Sequence, residues 1–477
     1  MALTCKVEHI NVQIEWNRVD TSLVRGVFYL GGLMKLYNSK TLQIEEMQTV
    51  NPNEVNMYVC GPTVYNHIHI GNARPIVVFD TLRRVLETDG YKVKYVSNYT
   101  DVDDKIIKKA IEEGVDERVI AGRYMDAYNK VRESLHTIPL SAAPQVTETM
   151  DDIIDFISDL EAKGHAYAVD GDVFFSVESV KQYGNLSHQS VDDLQVGARI
   201  DENTKKRNPL DFALWKQTDV GIQWDSPWGK GRPGWHTECV VMIGKEFNGQ
   251  LIDIHGGGKD LKFPHHENEV AQSYAVNDHG LANYWMHNGM LNLDGGKMSK
   301  SLGNTVWAKD IIAEKGSNVI RWLLLSVRYR DTLNYSDETM KAAETELQKI
   351  YTPWKQAIIK AAMANAELGT EVDSEHFEKF MEAMRDDMNT PNAYAEIFEV
   401  TKLLNQSLRV REIDWVLVGK WVATLDKMLD VLGIVFDKIV VTEEDKEVYN
   451  KWNEAKKAKD FEEADKYRLQ LMEKGLL

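Results

Sequence analysis

Only three cysteines, Cys5, Cys60 and Cys239, stand in the 477 residues. Secreted chains of this length usually carry more and pair them, so a disulfide framework is excluded. In a reducing compartment so few cysteines are more often buried, catalytic or metal-bound. Long apolar runs are missing too, since nothing approaches the roughly 18 consecutive apolar residues of a membrane span. The run Val27 to Met34 is short and follows a mixed stretch, which is not how a signal peptide reads. A cytoplasmic location with no membrane contact is expected. Basic excess is also absent: 56 Lys and Arg face 74 Asp and Glu, for a formal net charge of −18. That balance argues against indiscriminate nucleic-acid binding, which needs a broad basic surface. It leaves room for a selective RNA partner met by a local basic stripe. No internal repeat interrupts the text.

What is present is an ordinary globular composition, 43% hydrophobic and 27% charged, long enough for two to four domains. Residues 1–33 show no clear period. From Met34 the sequence MKLYNSKT reads as a strand, and residues 55–60 read as a second, buried one closed by Gly61-Pro62. Apolar spacing predicts a helix from Ala73 to Glu87, a strand from Lys92 to Asn98 and a helix from Thr100 to Glu113. This β-α-β-α order predicts a parallel sheet with helices on its faces. From Pro144 to Pro233 the character changes to a smaller α+β unit, with a helix at Met150 to Lys163 and a hairpin turning at Asp170 to Asp172. The alternation resumes with a helix after Trp235, a strand at Leu251 to Ile254 and a helix after Pro264. Beyond Ser336 the pattern is helical to the end, finishing in a charged segment, Glu443 to Lys474.

Two short segments carry chemistry. His67-Ile68-His69-Ile70-Gly71-Asn72 lies between the first buried strand and the first long helix. Ligands bind at the carboxyl ends of strands in such sheets, and helix N-termini attract phosphate. Lys297-Met298-Ser299-Lys300-Ser301 follows Asp294-Gly295-Gly296. Two lysines in a glycine-flanked loop suit the clamping of a triphosphate and the charge that develops on a pyrophosphate leaving group.

Together these segments resemble the HIGH and KMSKS signatures of class I aminoacyl-tRNA synthetases. His69-Ile70-Gly71-Asn72 matches three of four positions of the first, and residues 297–301 match all of the second. Further segments are similar to the cysteine-specific members. They are Cys60 to Tyr65, Thr100 to Lys105, Pro227 to His236, His255 to Gly258, Phe263 to Glu269 and Asp386 to Pro391. The resemblance runs from about residue 34 to the end. It implies a Rossmann-type catalytic domain split into residues 34–143 and 234–306, with an inserted domain at 144–233. A junction at 307–336 and an all-helical tRNA-binding domain at 337–477 would follow, with residues 1–33 as an upstream extension.

The same resemblance implies the reaction and its parts: cysteine, Mg2+-bound ATP and cysteine tRNA as partners, and a monomer. His69, Asn72, Lys297 and Lys300 would bind ATP and stabilise the phosphoryl charge. His255, Gly258 and Asp260 would lie along the adenosine, and Gly61, Thr63 and Trp235 would border the amino-acid pocket. A zinc ligand set of Cys60, Cys239, His265 and Glu269 agrees with the residues themselves. His265 and Glu269 are spaced i, i+4, which puts imidazole and carboxylate on one helical face, and zinc accepts two thiolates, one imidazole and one carboxylate. The neighbouring His266 would pair at that spacing with Val270, which cannot ligate. Zinc suits a substrate that differs from serine by one atom, because shape alone separates near-isosteres poorly while a metal prefers thiolate. By the resemblance the substrate sulfur joins the metal, and no editing domain is needed. Asp101, Asp103 and Asp104 read as helix-start carboxylates rather than as a second metal cluster. A related reading, a cysteine–amino-sugar ligase of mycothiol synthesis, is disfavoured by the long helical C-terminus. A non-catalytic zinc- and nucleotide-binding regulator is disfavoured by the complete 297–301 loop.

Overall fold

The computed structural model describes residues 32–189, 205–293, 296–297 and 305–477. A short antiparallel hairpin, β1 (Lys35–Asn38) and β2 (Gln43–Glu46), precedes the first buried strand, β3 (Glu54–Val59). Helix α1 (Ile70–Thr88), strand β4 (Lys92–Val96), and helices α2 (Asp104–Glu113) and α3 (Glu117–Ser134) follow. The inserted unit consists of α4 (Met150–Ala162) and an antiparallel sheet in the order β5 (Ala166–Val169), β6 (Asp172–Phe175), β7 (Phe212–Gln217), β8 (Gly231–Pro233). The expected hairpin turn is there, with positive φ at both Asp170 and Gly171, the backbone twist that two-residue hairpins require. The chain then returns through α5 (Trp235–Glu246), β9 (Ile252–Gly258), α6 (Glu267–Asn277) and β10 (Ala282–Asn288).

Strands β10, β9, β3 and β4 form one all-parallel sheet in that order. All but the last residue of β9 are buried, as expected of a strand covered on both faces. The chain leaves β3 to one side toward β4, and β9 later joins β3 on its other side. The strand order therefore reverses between β3 and β9, and the carboxyl ends of these two strands open a crevice for ligands.

A small sheet, β11 (Leu291–Leu293), β12 (Gly296–Lys297) and β13 (Leu333–Tyr335), leads toward the helical part together with α7 (Ala308–Lys315) and α8 (Ser317–Leu324). Six helices complete the chain: α9 (Asp337–Met363), α10 (Ser374–Arg385), α11 (Thr390–Ser407), α12 (Trp415–Val431), α13 (Glu443–Ala458) and α14 (Phe461–Glu473). One apolar cluster runs unbroken from α1 (Val77, Val85) through Trp322 to Phe380 and Leu425, so the helical part shares a core with the α/β body. A second cluster joins the inserted sheet to α4, α5 and α6.

Two local expectations change. Thr100 to Asp103 is not helical: Thr100 bridges Thr63, and α2 begins only after Asp103, whose carboxylate accepts from Lys105 N. Asp104 lies in the first turn, but Asp101 is buried and binds Thr147 through both backbone N–H and hydroxyl. The charged C-terminal segment is helical as expected, in two helices broken at Lys459, which takes a positive φ as the cap of α13.

Candidate active site and metal centre

The crevice at the β3/β9 crossing is a cleft of about 420 Å3. Its wall includes Cys60, Gly61, Thr63, His69, Asn72, Trp235, Gly258 and Asp260, so eight of the residues singled out from sequence converge on one cavity. Cys60 follows β3 directly and its N–H donates to Gly256 O of β9 at 3.1 Å. Gly61 must be glycine, because a Cβ there would sit 1.7 Å from Asn98 O. Its N–H donates to Asn98 Oδ1 at 2.8 Å, an anchor that sequence reasoning did not single out. Helix α1 begins at Ile70, so Gly71 and Asn72 form its first turn, with His69 as the residue before it. Exposed backbone donors at a helix start favour an anion there.

His255 is not in the cleft wall. It is fully buried, stacks on Trp285 at 4.5 Å between ring centres, and its Nε2 lies 2.7 Å from Glu269 Oε2. Its place is behind the Glu269 carboxylate, outside the cleft lining where Gly258 and Asp260 stand. Lys300 lies outside the described residues. Lys297 is described only by its backbone pairing with Asn292 in β12.

Cys60, Cys239, His265 and Glu269 come together with one donor atom each, all within 4.8 Å of one another. The two sulfurs are 3.6 Å apart, and His265 Nε2 is 3.7 Å from each of them. Glu269 Oε1 lies 3.7 Å from Cys60 Sγ and 2.9 Å from His265 Nε2. Spacing did not exclude His266, however. Its Nε2 is 3.4 Å from Cys60 Sγ, and Cys60, His255, His266 and Glu269 form a second overlapping donor group. The short turn Lys262–His266 before α6 is not a regular α-helix, so the i, i+4 rule does not govern it. The first group holds both thiols, whereas His266 is engaged through Nδ1 with His287 at 2.8 Å.

Burial pushes the Cys60 thiol up, and the neighbouring Cys239 and Glu269 add to it. Burial also works against ionised Glu269, but His265 and His255 hold its carboxyl well below the usual range. The hydrogen bond from Cys60 brings the Cys239 thiol down to about 6, so the cluster gathers soft and hard donors, one of them inclined to the thiolate form, in a dry place that suits a metal cation. Trp235, 41% exposed, stacks on the His265 ring at 4.1 Å and so joins the donor cluster to the cleft wall.

Several anchors were not foreseen. Arg74 of α1 is fully buried and donates to the carbonyls of Gly289, Met290 and Asp331 at 2.7–3.1 Å, fixing the loop that closes the far side of the cleft. Burial lowers this guanidinium to about 10. A buried arginine has no signature in sequence, where it reads as surface charge.

Comparison with known proteins places this geometry. Residues 46–345 match the family model for the tRNA synthetases class I (C) catalytic domain, and residues 379–437 match the DALR domain. The fold is similar to Mycobacterium tuberculosis methionyl-tRNA synthetase in complex with methionyl-adenylate. The TM-score there is 0.58 at 16% identity, over 80% of this chain and 89% of that one. It is also similar to Agrobacterium radiobacter LeuRS in a ternary complex with tRNA and LeuAMS, at TM-score 0.59 and 11% identity over 81% and 85%. The catalytic body is therefore that of a class I aminoacyl-tRNA synthetase. Among curated proteins, a Geobacillus cysteine–tRNA ligase is 46% identical over 453 residues, covering 93% of this chain and 97% of the relative. The corresponding protein of Lachnoclostridium phytofermentans is 46% identical over 459 residues, with the same coverage. The chain belongs to the cysteine–tRNA ligase family.

Proposed function

We propose that the chain activates L-cysteine with Mg2+-bound ATP to cysteinyl-adenylate. It then transfers the cysteinyl group to the 3′-terminal adenosine of cysteine tRNA. The observation that carries this reading is the four-donor cluster opening through Cys60 into the cleft at the β3/β9 crossing. The donors fit zinc. Bonds of about 2.3 Å to sulfur and 2.0–2.1 Å to nitrogen give tetrahedral donor separations of roughly 3.5–3.8 Å. The sulfur–sulfur and sulfur–nitrogen separations of 3.6 and 3.7 Å fall in that range, while Glu269 Oε1, hydrogen-bonded to His265 Nε2 at 2.9 Å, lies closer than that. Cys60, Cys239, His265 and Glu269 would hold the ion. When bound, it supplies a preference for thiolate over hydroxyl, which separates cysteine from serine.

The chain's own residues do the rest. Gly61 and Thr63 shape the amino-acid end of the cleft, and Trp235 closes an apolar wall beside it. Asp260 and Gly258, across the cleft, take the ribose side of ATP. His69, Asn72, Lys297, Lys300 and the first-turn N–H groups of α1 stabilise charge as the cysteine carboxylate attacks the α-phosphate and pyrophosphate leaves. The 2′-hydroxyl of the terminal adenosine then attacks the acyl carbon, and AMP departs. His255 acts through Glu269 as a positioning residue. Residues 34–143 and 234–306 serve as the catalytic domain, 144–233 as its insert, 307–336 as the junction and 337–477 as the tRNA-reading part. Among the described residues no helix is long and apolar enough to cross a membrane.

Cysteine-dependent ATP–pyrophosphate exchange followed by charging of total tRNA tests the reading. Exchange and charging together are expected. Exchange without charging would favour the amino-sugar ligase, and absence of exchange would remove the catalytic assignment.

A further inference from the structure

The amino-acid end of the cleft is made of two pieces that the chain delivers separately. One is Gly61 to Thr63, after β3. The other is the start of α5, which sets Trp235 in the wall and Cys239 in the donor cluster. Between them stands Asn98, just past β4 and fully buried.

Its neighbours dictate which way its amide points. The Gly61 N–H can only donate, so the Asn98 oxygen faces it, at 2.8 Å. Asn98 Nδ2 then donates to Thr100 Oγ1 at 3.3 Å, and the Thr100 hydroxyl gives its one hydrogen to Glu238 Oε2 at 3.2 Å. Glu238 precedes Cys239 in α5, and both Thr100 and Glu238 are buried. The Cys239 sulfur lies 3.9 Å from the same Asn98 oxygen. Every bond runs one way, from Gly61 through Asn98 and Thr100 to Glu238. No member can turn over without leaving a buried polar group unpaired.

The backbone makes one half of this assembly rigid. Thr100 N donates to Pro62 O and Val64 N to Thr100 O, both at 3.1 Å. A Cβ on Gly61 would sit 1.7 Å from Asn98 O, so the two segments are in direct contact. The side-chain bonds then couple that body to α5.

Resting on the proposed function, we propose that Asn98 is a positioning residue that sets the length of amino acid the site accepts. A substrate with its carboxylate end beside Gly61 and Thr63 and its sulfur at the donor cluster spans the gap between the two pieces. Asn98, acting through Thr100 and Glu238, keeps that gap at the reach of cysteine and too short for homocysteine, which is longer by a methylene. Donor chemistry excludes serine; distance excludes homocysteine. In a pocket of fixed size one methylene is worth about 10- to 200-fold, and that margin lasts only while the two pieces cannot drift apart.

The test is pyrophosphate exchange by the full chain, with homocysteine as the competing amino acid. Asn98→Ala removes both side-chain bonds of Asn98. Thr100→Val removes only the hydroxyl between Asn98 and Glu238, and Thr100→Ser keeps it. A misplacement of about 1 Å can cost on the order of 100-fold. Asn98→Ala and Thr100→Val should therefore raise the cysteine KM roughly 10- to 100-fold, with the ATP KM and the metal content at the parent level. The ratio of the homocysteine inhibition constant to the cysteine KM should fall about tenfold, and Thr100→Ser should restore both. If Asn98→Ala does not fold, Thr100→Val decides. A Thr100→Val protein with the parent's cysteine KM and ratio would overturn the proposal. So would cysteine and ATP constants that rise together at an unchanged ratio, the mark of a purely structural defect. Loss of metal would also overturn it, making these bonds a support of the donor cluster instead. A parent protein without cysteine-dependent exchange would sink the proposed function, and this inference with it.

Discussion

Arg321 is the strongest test of how the helical part is locked to the catalytic body. It is fully buried in α8. Its Nε donates to Leu432 O at 2.7 Å, its Nη1 to Leu135 O at 2.8 Å, and its Nη2 to Asp80 Oδ2 at 2.7 Å and Thr81 Oγ1 at 3.3 Å. One guanidinium therefore joins the middle of α1, the end of α3 and the end of α12. Arg321→Met keeps much of the volume but leaves two buried carbonyls without this donor, at about 1–3 kcal/mol each. Asp80 keeps Arg84 at 2.9 Å and the Ile138 N–H at 2.7 Å, so its loss is partial. The sum, about 3–5 kcal/mol, matches what breaking one side of a buried pair usually costs. Arg321→Lys keeps the charge but replaces a planar fork by a single ammonium, and should cost about half as much. Urea unfolding followed by tryptophan fluorescence is the assay. Trp322, stacked on Tyr394 at 3.7 Å between ring centres, reports on this junction directly. A loss below about 1 kcal/mol for Arg321→Met would refute the claim that this network carries the junction.

Cys239→Ser should lower metal affinity by more than about 100-fold, beyond the loss typical of an outer partner, and cysteine affinity should fall with it. Metal analysis by mass spectrometry decides this, and full occupancy would remove Cys239 from the site. Asn72→Ala should slow pyrophosphate exchange about tenfold while leaving cysteine binding nearly unchanged, since an amide donor at the first turn of α1 acts on phosphate. An exchange rate equal to the parent's would show that Asn72 has no transition-state role. Asp445, which closes the cap of α13 with Thr442, is held down at about 2 from 3.8, first by the Lys474 ammonium and then by the Thr442 backbone and hydroxyl. A lowered carboxyl pKa stabilises above its unfolded value and loses that contribution as pH falls through the folded value. Asp445→Asn should therefore cost α13 about 1 kcal/mol of hydrogen-exchange protection at pH 7, and progressively less between about pH 4 and 2. A cost independent of pH over that window would reject the ion-pair account.

How much of this was legible depends on whether the signal was local. The alternation around β3, α1 and β4 could be read because apolar residues recur at strand and helix periods, and the cleft followed from where those strands end. The helix Glu117–Ser134 was not singled out: its apolar positions are scattered among charged ones, and burial of Tyr124, Tyr128 and Arg132 settles it only in three dimensions. The donor cluster was legible as a set, because four unusual residue types converge. Its boundary was not, since the turn at Lys262–His266 departs from helical spacing and brings His266 to Cys60 as well. His255 shows the same limit. A histidine before three glycines at a strand end reads as a ligand contact, yet it lies buried against Glu269.

The residues that hold the site in place were the least legible, for a physical reason. Arg74 and Arg321 carry charge, so a sequence places them at the surface. Each is instead fully buried with its donors spread over carbonyls that are far apart in the chain, Gly289 to Asp331 for one and Leu135 to Leu432 for the other. Such an arginine makes these hydrogen bonds only when the acceptors are already in position, and losing them in the core is costly. That makes the two arginines checks on correct assembly. Arg74 Nη1 reaches its carbonyls only when the loop at Gly289 sits against α1, which closes the cleft wall, and Arg321 is satisfied only when α12 docks on α1. The helix that presents Gly71 and Asn72 to the cleft is thus fixed by both at once, and the catalytic segment inherits its position from contacts that no local motif encodes.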